Sequence, residues 1–174
     1  RCVVDHYIKN GSTVNFCALD LSKAFDRLNH HGLYIKLMKR CVPVQLLRII
    51  ENWFSICQTC VRWQEWYSGF FTLSTGTRQG GVLSPVLFNL YIDGIVSAIL
   101  DSGIGCHLRN VSLAVLIYAD DILLLAPTVS ALQGLVDLCC MELQSLDMEI
   151  NFKKSVCMRI GPKFKAECSN IVTG

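Results

Sequence analysis

The hydrophobic and polar positions along the chain alternate between a period of two and helical spacing. From Val14 to Leu21 (VNFCALDL) the period is two, which puts Val14, Phe16, Ala18 and Asp20 on one face of a strand. Asp20 therefore ends a largely apolar row. Ser22 reads as a helix cap, and SKAFDRLNHHGLYIKLMKR then carries apolar residues at helical spacing through Phe25, Leu28, Leu33 and Leu37. Beyond Pro43 the same spacing returns from Val44 to Cys57 through Leu46, Leu47, Ile50 and Phe54. Gln58 to Ser74 is aromatic and β-branched with Gly69 in its middle, which predicts a hairpin. Thr75 to Gly81 (TGTRQGG) holds three glycines in seven residues and predicts a loop. Ser84 as a cap and Pro85 as a first-turn proline predict a helix start, the helix running to about Leu100, with a turn over Asp101 to Gly105.

The stretch Leu113 to Ala126 (LAVLIYADDILLLA) breaks its apolar run only at Asp120 and Asp121. Its spacing predicts a tight hairpin turning at Ala119–Asp120, with both aspartates at the tip. A carboxylate stranded among buried aliphatics costs several kcal/mol unless it is paired or holds a metal. No Lys or Arg lies between Arg109 and Lys153, so the cation must come from elsewhere. On these residues alone a divalent metal and a plain polar turn both remain open. Thr128 or Ser130 then caps a helix through about Ser145, and Asn151 to Ile160 closes with a polar turn and a short strand. This order of elements predicts an α+β fold, with helices against one face of a small antiparallel sheet.

Composition narrows the class. The 174 residues suit one domain, and 52% hydrophobic against 17% charged residues reads as a core cut from a larger protein. No apolar run is expected to span a membrane, because two aspartates break the longest. A formal charge of +2 does not by itself mark a nucleic-acid binder. Ten scattered cysteines, several inside apolar patterns (Cys17, Cys139, Cys140, Cys157), read as buried free thiols of a protein in the nucleus or cytoplasm rather than a secreted one. Cys57 and Cys60 form a lone C-x-x-C with no second pair, which does not make a zinc site. The histidines (His6, His30, His31, His107) show no ligand spacing and read as surface or packing residues.

If the strand ending at Asp20 neighbours the Asp120–Asp121 hairpin, three carboxylates converge. Like charges about 4–5 Å apart repel by roughly 3–4 kcal/mol at an effective dielectric near 20. Mg²⁺ removes that penalty, since it accepts a few carboxylates together with phosphate oxygens.

Four blocks appear in order: Asp20-x-x-x-x-Phe25 with Lys-Ala-Phe-Asp up to Asp26; Arg-Gln-Gly with Leu-Ser-Pro from Arg78 to Pro85; Tyr-Ala-Asp-Asp from Tyr118 to Asp121; and Asn-x-x-Lys-Ser from Asn151 to Ser155. Together they resemble the reverse transcriptase family, most closely its non-LTR (LINE-type) retrotransposon branch, over roughly Val14 to Ile160. The resemblance implies a polymerase palm with part of the fingers over residues 1–174 as a single domain. The thumb, most of the fingers and any endonuclease region would lie outside this fragment.

The resemblance also implies an RNA-directed DNA polymerase that moves nucleotides from dNTPs to a DNA primer 3′-hydroxyl on an RNA template. Asp20 and Asp120, with Asp121 and the Leu21 carbonyl, would hold two Mg²⁺ ions, Mn²⁺ being an alternative. Phe25 would pack on the sugar of the incoming nucleotide and clash with a 2′-hydroxyl. Gln79 and Gly80 would contact that nucleotide and its template partner, Arg78 adding positive charge. Tyr118 would lie under the primer terminus, where Ala119 leaves room, and Lys154 would stand near the triphosphate. Two rivals follow. One is a truncated or domesticated, catalytically inactive binding module. The other is an RNA-dependent RNA polymerase, against which Phe25 stands.

Overall fold

The computed structural model describes residues 2–78 and 80–172. Its elements begin with α1 (Cys2–Lys9), β1 (Val14–Asp20), a 3-10 turn (Ala24–Asp26), α2 (His30–Lys39) and α3 (Val44–Ser55). Four two-residue strands follow: β2 (Gln58–Thr59), β3 (Arg62–Trp63), β4 (Trp66–Tyr67) and β5 (Phe71–Thr72). Then come α4 (Ser84–Ser102), β6 (His107–Leu108), β7 (Val111–Ser112), β8 (Val115–Tyr118), β9 (Asp121–Ala126), α5 (Val129–Ser145) and β10 (Val156–Ile160). The chain divides into two units, one from the chain up to Ser22 together with Ile92 onward, the other from Lys23 to Tyr91.

The first unit carries a four-stranded antiparallel sheet in the order β10-β1-β9-β8. Antiparallel partners share a face, so the register sorts the side chains. One face holds Cys17 and Leu19 of β1 with Leu124 and Ile122 of β9, all buried. Helix α5 packs on these two strands and contributes buried Leu132, Leu135, Val136 and Cys139. Thr128 is the residue that caps it, its hydroxyl accepting from the Ala131 N–H at 3.1 Å. The other face is closed only at its far end. There Val14, Phe16 and Leu125 form a cluster with Cys106, against which Val3, Val4 and Tyr7 of α1 pack. Toward the Asp20 end the same face is open, with Leu116, Tyr118, Val156 and Met158 exposed.

Gly105 is required where the β6–β7 hairpin meets the sheet. Its φ is +108°, and a β-carbon there would collide with Ala114 and lie 3.0 Å from the Leu125 carbonyl. Backbone and neighbours both refuse a side chain, so Gly105→Ala is expected to cost about 2–4 kcal/mol in denaturant unfolding. An unchanged midpoint would contradict this contact.

Three local expectations are corrected in the second unit. No helix runs on from Ser22, because Lys23 adopts φ 50° and only the 3-10 turn Ala24–Asp26 follows. The helix starts afresh at His30, capped by Asn29, whose side chain accepts from the Gly32 N–H at 3.1 Å. The predicted hairpin over 58–74 exists, but its tip is at Gln64–Glu65, where Gln64 has φ 53°; Gly69 lies on the returning arm. Ser84 is not a cap either. It is the first residue of α4, and its hydroxyl is committed to the preceding loop. Helix α1 and the β6–β7 hairpin, eight residues and two pairs of residues, had no periodic signal long enough to read.

Helix α4 is long and apolar enough, by length and composition alone, to cross a membrane, which corrects the expectation that no segment would be. A core helix meets the same criteria, and Phe88, Tyr91, Ile92, Ile95 and Ile99 are buried along it. Each such large apolar side chain contributes about 1.5–3 kcal/mol on burial.

The apolar pattern predicts the thiols only in part: Cys17 and Cys139 are buried as expected, but Cys140 is half-buried and Cys157, on the edge strand β10, is exposed. Cys17, Cys57, Cys106 and Cys139 are buried and unpaired. Burial pushes the Cys106 thiol up to about 11 and the Cys139 thiol up to about 12, and it raises Cys17 further, helped by a hydrogen bond with Cys157 across the β1–β10 pair. Alkylation needs the thiolate. Exposed Cys2, Cys41, Cys157 and Cys168 should therefore react with iodoacetamide at pH 8, and Cys17, Cys106 and Cys139 only after unfolding. The folded state holds these protons more tightly than the unfolded chain. Their contribution to stability is thus complete below about pH 9 and is lost as pH rises through 11 to 12. Peptide mapping that finds Cys139 labelled in the native protein would overturn the assignment.

Candidate active site

In the first unit, Asp20 is the last residue of β1 and Asp121 the first of β9, and the two are direct register partners. Asp121 also pairs with Tyr118 of β8. Tyr118, Asp121 and Asp20 thus form one row across three strands, at the open end of the sheet. Tyr118 is 84% exposed, so its ring is a free apolar surface beside the carboxylates. Ala119 and Asp120 make the two-residue turn between β8 and β9, with Ala119 at φ 53°. A non-glycine residue in the left-handed region stores strain of about 1–3 kcal/mol, which the paired strands on either side hold in place.

Like charges directly opposite on neighbouring strands destabilise a sheet. On the edge of β1 away from β9, the segment Asn151–Ser155 wraps the end of the strand at Asp20. The Asn151 N–H donates to the Asp20 carbonyl at 2.8 Å, and the Asp20 N–H donates to the Ser155 hydroxyl at 3.1 Å. That hydroxyl donates in turn to the Asn151 carbonyl at 2.9 Å. The wrap brings the Lys154 ammonium to 4.0 Å from the Asp20 carboxylate, with side-chain exposures of 70% and 33%. An ion pair so wet contributes little and leaves the ammonium free to turn elsewhere.

Leu21 and Ile150 form an isolated bridge whose two hydrogen bonds are Asn151 N–H to Asp20 carbonyl and Ser22 N–H to Glu149 carbonyl. In that antiparallel pattern the polar groups of Leu21 itself point away from Ile150, toward the side on which β9 lies. The Leu21 carbonyl therefore shares a side with the Asp120–Asp121 hairpin.

Among the described residues no three His, Cys, Asp or Glu side chains stand close enough together to form a ligand set as placed. The donor types nevertheless suit a hard divalent cation: carboxylate and carbonyl oxygens, with no thiol or imidazole in the row.

The second unit holds Phe25, Arg78 and Gly80. Phe25 lies in the 3-10 turn and is half-buried, its ring 4.8 Å from that of Phe88 on α4. The Thr77 N–H donates to the Phe25 carbonyl at 2.8 Å, so the glycine-rich loop begins directly against this turn. Arg78 is not a free charge; its guanidinium donates to the Gln58 carbonyl at 2.8 Å and ties the loop to β2. Gly80 has φ +81° with open space around its Cα. Gln79 lies outside the described residues.

Four residues not predicted for the site hold these groups in place. Ser155 and Asn151 fix the end of β1. Ser84 accepts from Thr77 at 2.8 Å and donates to the Arg78 carbonyl at 2.6 Å. His30, read as packing, is buried and hydrogen-bonded to the Gly76 carbonyl at 2.7 Å. Asn151, Ser155 and Ser84 stood inside the motif blocks already noted, which was a usable signal. His30 had none.

A two-residue hairpin carrying adjacent aspartates, set beside a strand that ends in a third, on an antiparallel sheet backed by a helix, is the architecture of a nucleic-acid polymerase palm. The fold agrees with the structure of apo telomerase from Candida tropicalis truncated from the C-terminal domain, at TM-score 0.71 and 17% identity, covering 99% of this chain and 35% of that one. Residues 2–168 match the family described as reverse transcriptase (RNA-dependent DNA polymerase), and the chain belongs to that family, in its non-LTR branch. It is 31% identical over 167 residues to the retrovirus-related Pol polyprotein from type-2 retrotransposable element R2DM of Drosophila melanogaster, covering 96% of this chain and 16% of that protein. It is 26% identical over 155 residues to the Pol polyprotein from type-1 retrotransposable element R2 of Nasonia vitripennis, covering 89% and 15%. The chain thus spans about a sixth of the length of these relatives.

Proposed function

We propose that this chain is the palm, with part of the fingers, of an RNA-directed DNA polymerase of a retrotransposon, extending a DNA primer with dNTPs on an RNA template. The observation that carries this is the register pairing of Asp20 with Asp121 beside the Asp120 turn, at the open end of the sheet. Asp20, Asp120 and Asp121, with the Leu21 carbonyl, would hold two Mg²⁺ ions, or Mn²⁺ in their place. When bound, these supply charge neutralisation between the carboxylates and Lewis-acid activation of the primer hydroxyl and of the departing pyrophosphate.

The residues of the chain do the rest. Tyr118, with Leu116 and Met158 on the same open face, offers an apolar bed on which a primer terminus rests. The strained Ala119 keeps a small side chain at the turn, so the primer end can approach. Lys154, held near Asp20 by the Asn151–Ser155 wrap, turns from the carboxylate to the triphosphate as a proton donor or counter-charge. Phe25, braced by Phe88, presents a rigid ring where a 2′-hydroxyl would sit. Gln79 and Gly80 would contact the nascent base pair by their place in the motif, and Arg78 ties the start of the loop to β2. Scattered free thiols suit a reducing compartment, nucleus or cytoplasm.

The test is primer extension by the full-length polyprotein on a poly(rA)–oligo(dT) substrate. Mg²⁺-dependent incorporation of dTTP is expected. A full-length protein that binds the substrate but extends nothing with Mg²⁺ or Mn²⁺ would favour the catalytically inactive binding module instead.

A further inference from the structure

We infer that His30 is a positioning residue for nucleotide selection: through the Gly76 carbonyl it fixes the start of the glycine-rich loop, and through that loop the backbone of Phe25. The inference rests on the proposed role of Phe25 as the residue that meets the sugar.

His30 opens α2, and its ring stacks on Phe54 with centroids 4.2 Å apart. Its Nε2 lies 2.7 Å from the Gly76 carbonyl, and since a carbonyl only accepts, Nε2 carries the proton. Gly76 cannot move away easily. Its N–H donates to the Leu28 carbonyl at 2.7 Å, its φ is +83°, and a β-carbon on it would lie 2.8 Å from the Asp26 carbonyl and 3.0 Å from the Phe25 carbonyl. The next residue, Thr77, donates its N–H to the Phe25 carbonyl and its hydroxyl to Ser84 at the start of α4. Phe25 is thereby gripped twice, its backbone by Thr77 and its ring by Phe88, which sits one turn beyond Ser84. The Gly76–Thr77 segment is common to both grips, and His30 reaches it with a side chain rather than a backbone group.

The chemistry of loss follows. Without the imidazole N–H the buried Gly76 carbonyl has lost an acceptor bond that low-dielectric surroundings make expensive to leave unmade. The segment relaxes outward to find water, and the Thr77 N–H leaves Phe25. The ring then has a looser floor, and a 2′-hydroxyl is rejected less sharply. Ring stacking on Phe54 can be kept while the donor is removed, which separates packing from positioning.

The experiment compares wild type, His30→Phe and His30→Gln in the full-length polyprotein. Phenylalanine keeps the stack and removes the donor; glutamine keeps a donor. Two measurements are made: hydrogen exchange at the Gly76 and Thr77 amides, and the ratio of kcat/KM for dTTP over UTP. For His30→Phe, protection at both amides should fall at least tenfold. Its dNTP-over-rNTP ratio should fall about tenfold, through a lower KM for UTP with the kcat for dTTP little changed. His30→Gln should recover both to within about threefold. Should His30→Phe not accumulate, His30→Met lacks the donor in a slimmer side chain and carries the same expectations. Unchanged amide protection in the donor-less variant overturns the inference, as does lost protection with unchanged discrimination, or glutamine failing to restore either. A wild-type protein that extends no primer would instead defeat the polymerase reading, and the amide protection would still decide whether His30 holds the loop.

Discussion

On the proposed polymerase function, Asp120→Asn in the parent protein should abolish primer extension, by at least about 10³-fold, while leaving the fold and template binding nearly intact. The magnitude follows from what the carboxylate is asked to supply. Metal-assisted stabilisation of developing charge is worth several kcal/mol, and each 1.36 kcal/mol is a factor of ten in rate. The fold should survive because Asp120 sits in the turn and not in a strand ladder, so no sheet hydrogen bond depends on its side chain. A further expectation separates this from simple unfolding: Mg²⁺ should raise the melting temperature of the wild type more than that of the variant, because a ligand stabilises only the state that binds it. Normal incorporation by the variant would sink the metal assignment.

Phe25→Val should raise incorporation of ribonucleotides about 10²-fold relative to deoxynucleotides. A packed ring that rejects one hydroxyl acts through steric overlap, and one such group in a shaped pocket is worth a few kcal/mol. Valine is the choice because Phe25 leans on Phe88. Truncation to alanine would leave a larger gap in the second unit and mix packing loss with altered selection. The ratio of kcat/KM for dTTP over UTP reads the effect directly. If the wild-type protein shows no preference while Phe25 is in place, the ring is not the selecting group, and the RNA-dependent RNA polymerase becomes the better reading.

Much of this was legible in the sequence, for physical reasons that differ by element. Strand β1, helix α3 and the β8–β9 hairpin were readable because their apolar periods are long and uninterrupted. The face on which Asp20 and Asp121 meet followed from the same period once the two strands were assumed to be neighbours; that pairing, between residues far apart in sequence, is set by tertiary packing and no local pattern encodes it. Lys23 was unreadable because a positive φ at a lysine reflects the turn imposed between β1 and α2, against its own preference. Gln64 misled for the same reason: a glycine nearby looked like the better tip. The tethers at Ser155, Ser84 and His30 are side-chain bonds to backbone, and their residue types are ordinary wherever they occur. Of the fold class, the helix-backed antiparallel sheet stands as expected.

The register that joins Asp20 to Asp121 also has a consequence for how the protein is made. The two strands are about a hundred residues apart in the chain, and the intervening Lys23–Tyr91 segment is a compact unit of its own. On the ribosome that inserted unit can fold while β1 still waits, unpaired, for β9 to emerge. β10 comes later still, and it pairs along the other edge of β1. Such non-local pairing is slow and leaves strand edges bare for the duration. The acidic end of β1 gives that waiting strand a charged tip, which discourages it from pairing with another nascent chain. The same aspartate that would later serve chemistry thus guards the strand during synthesis.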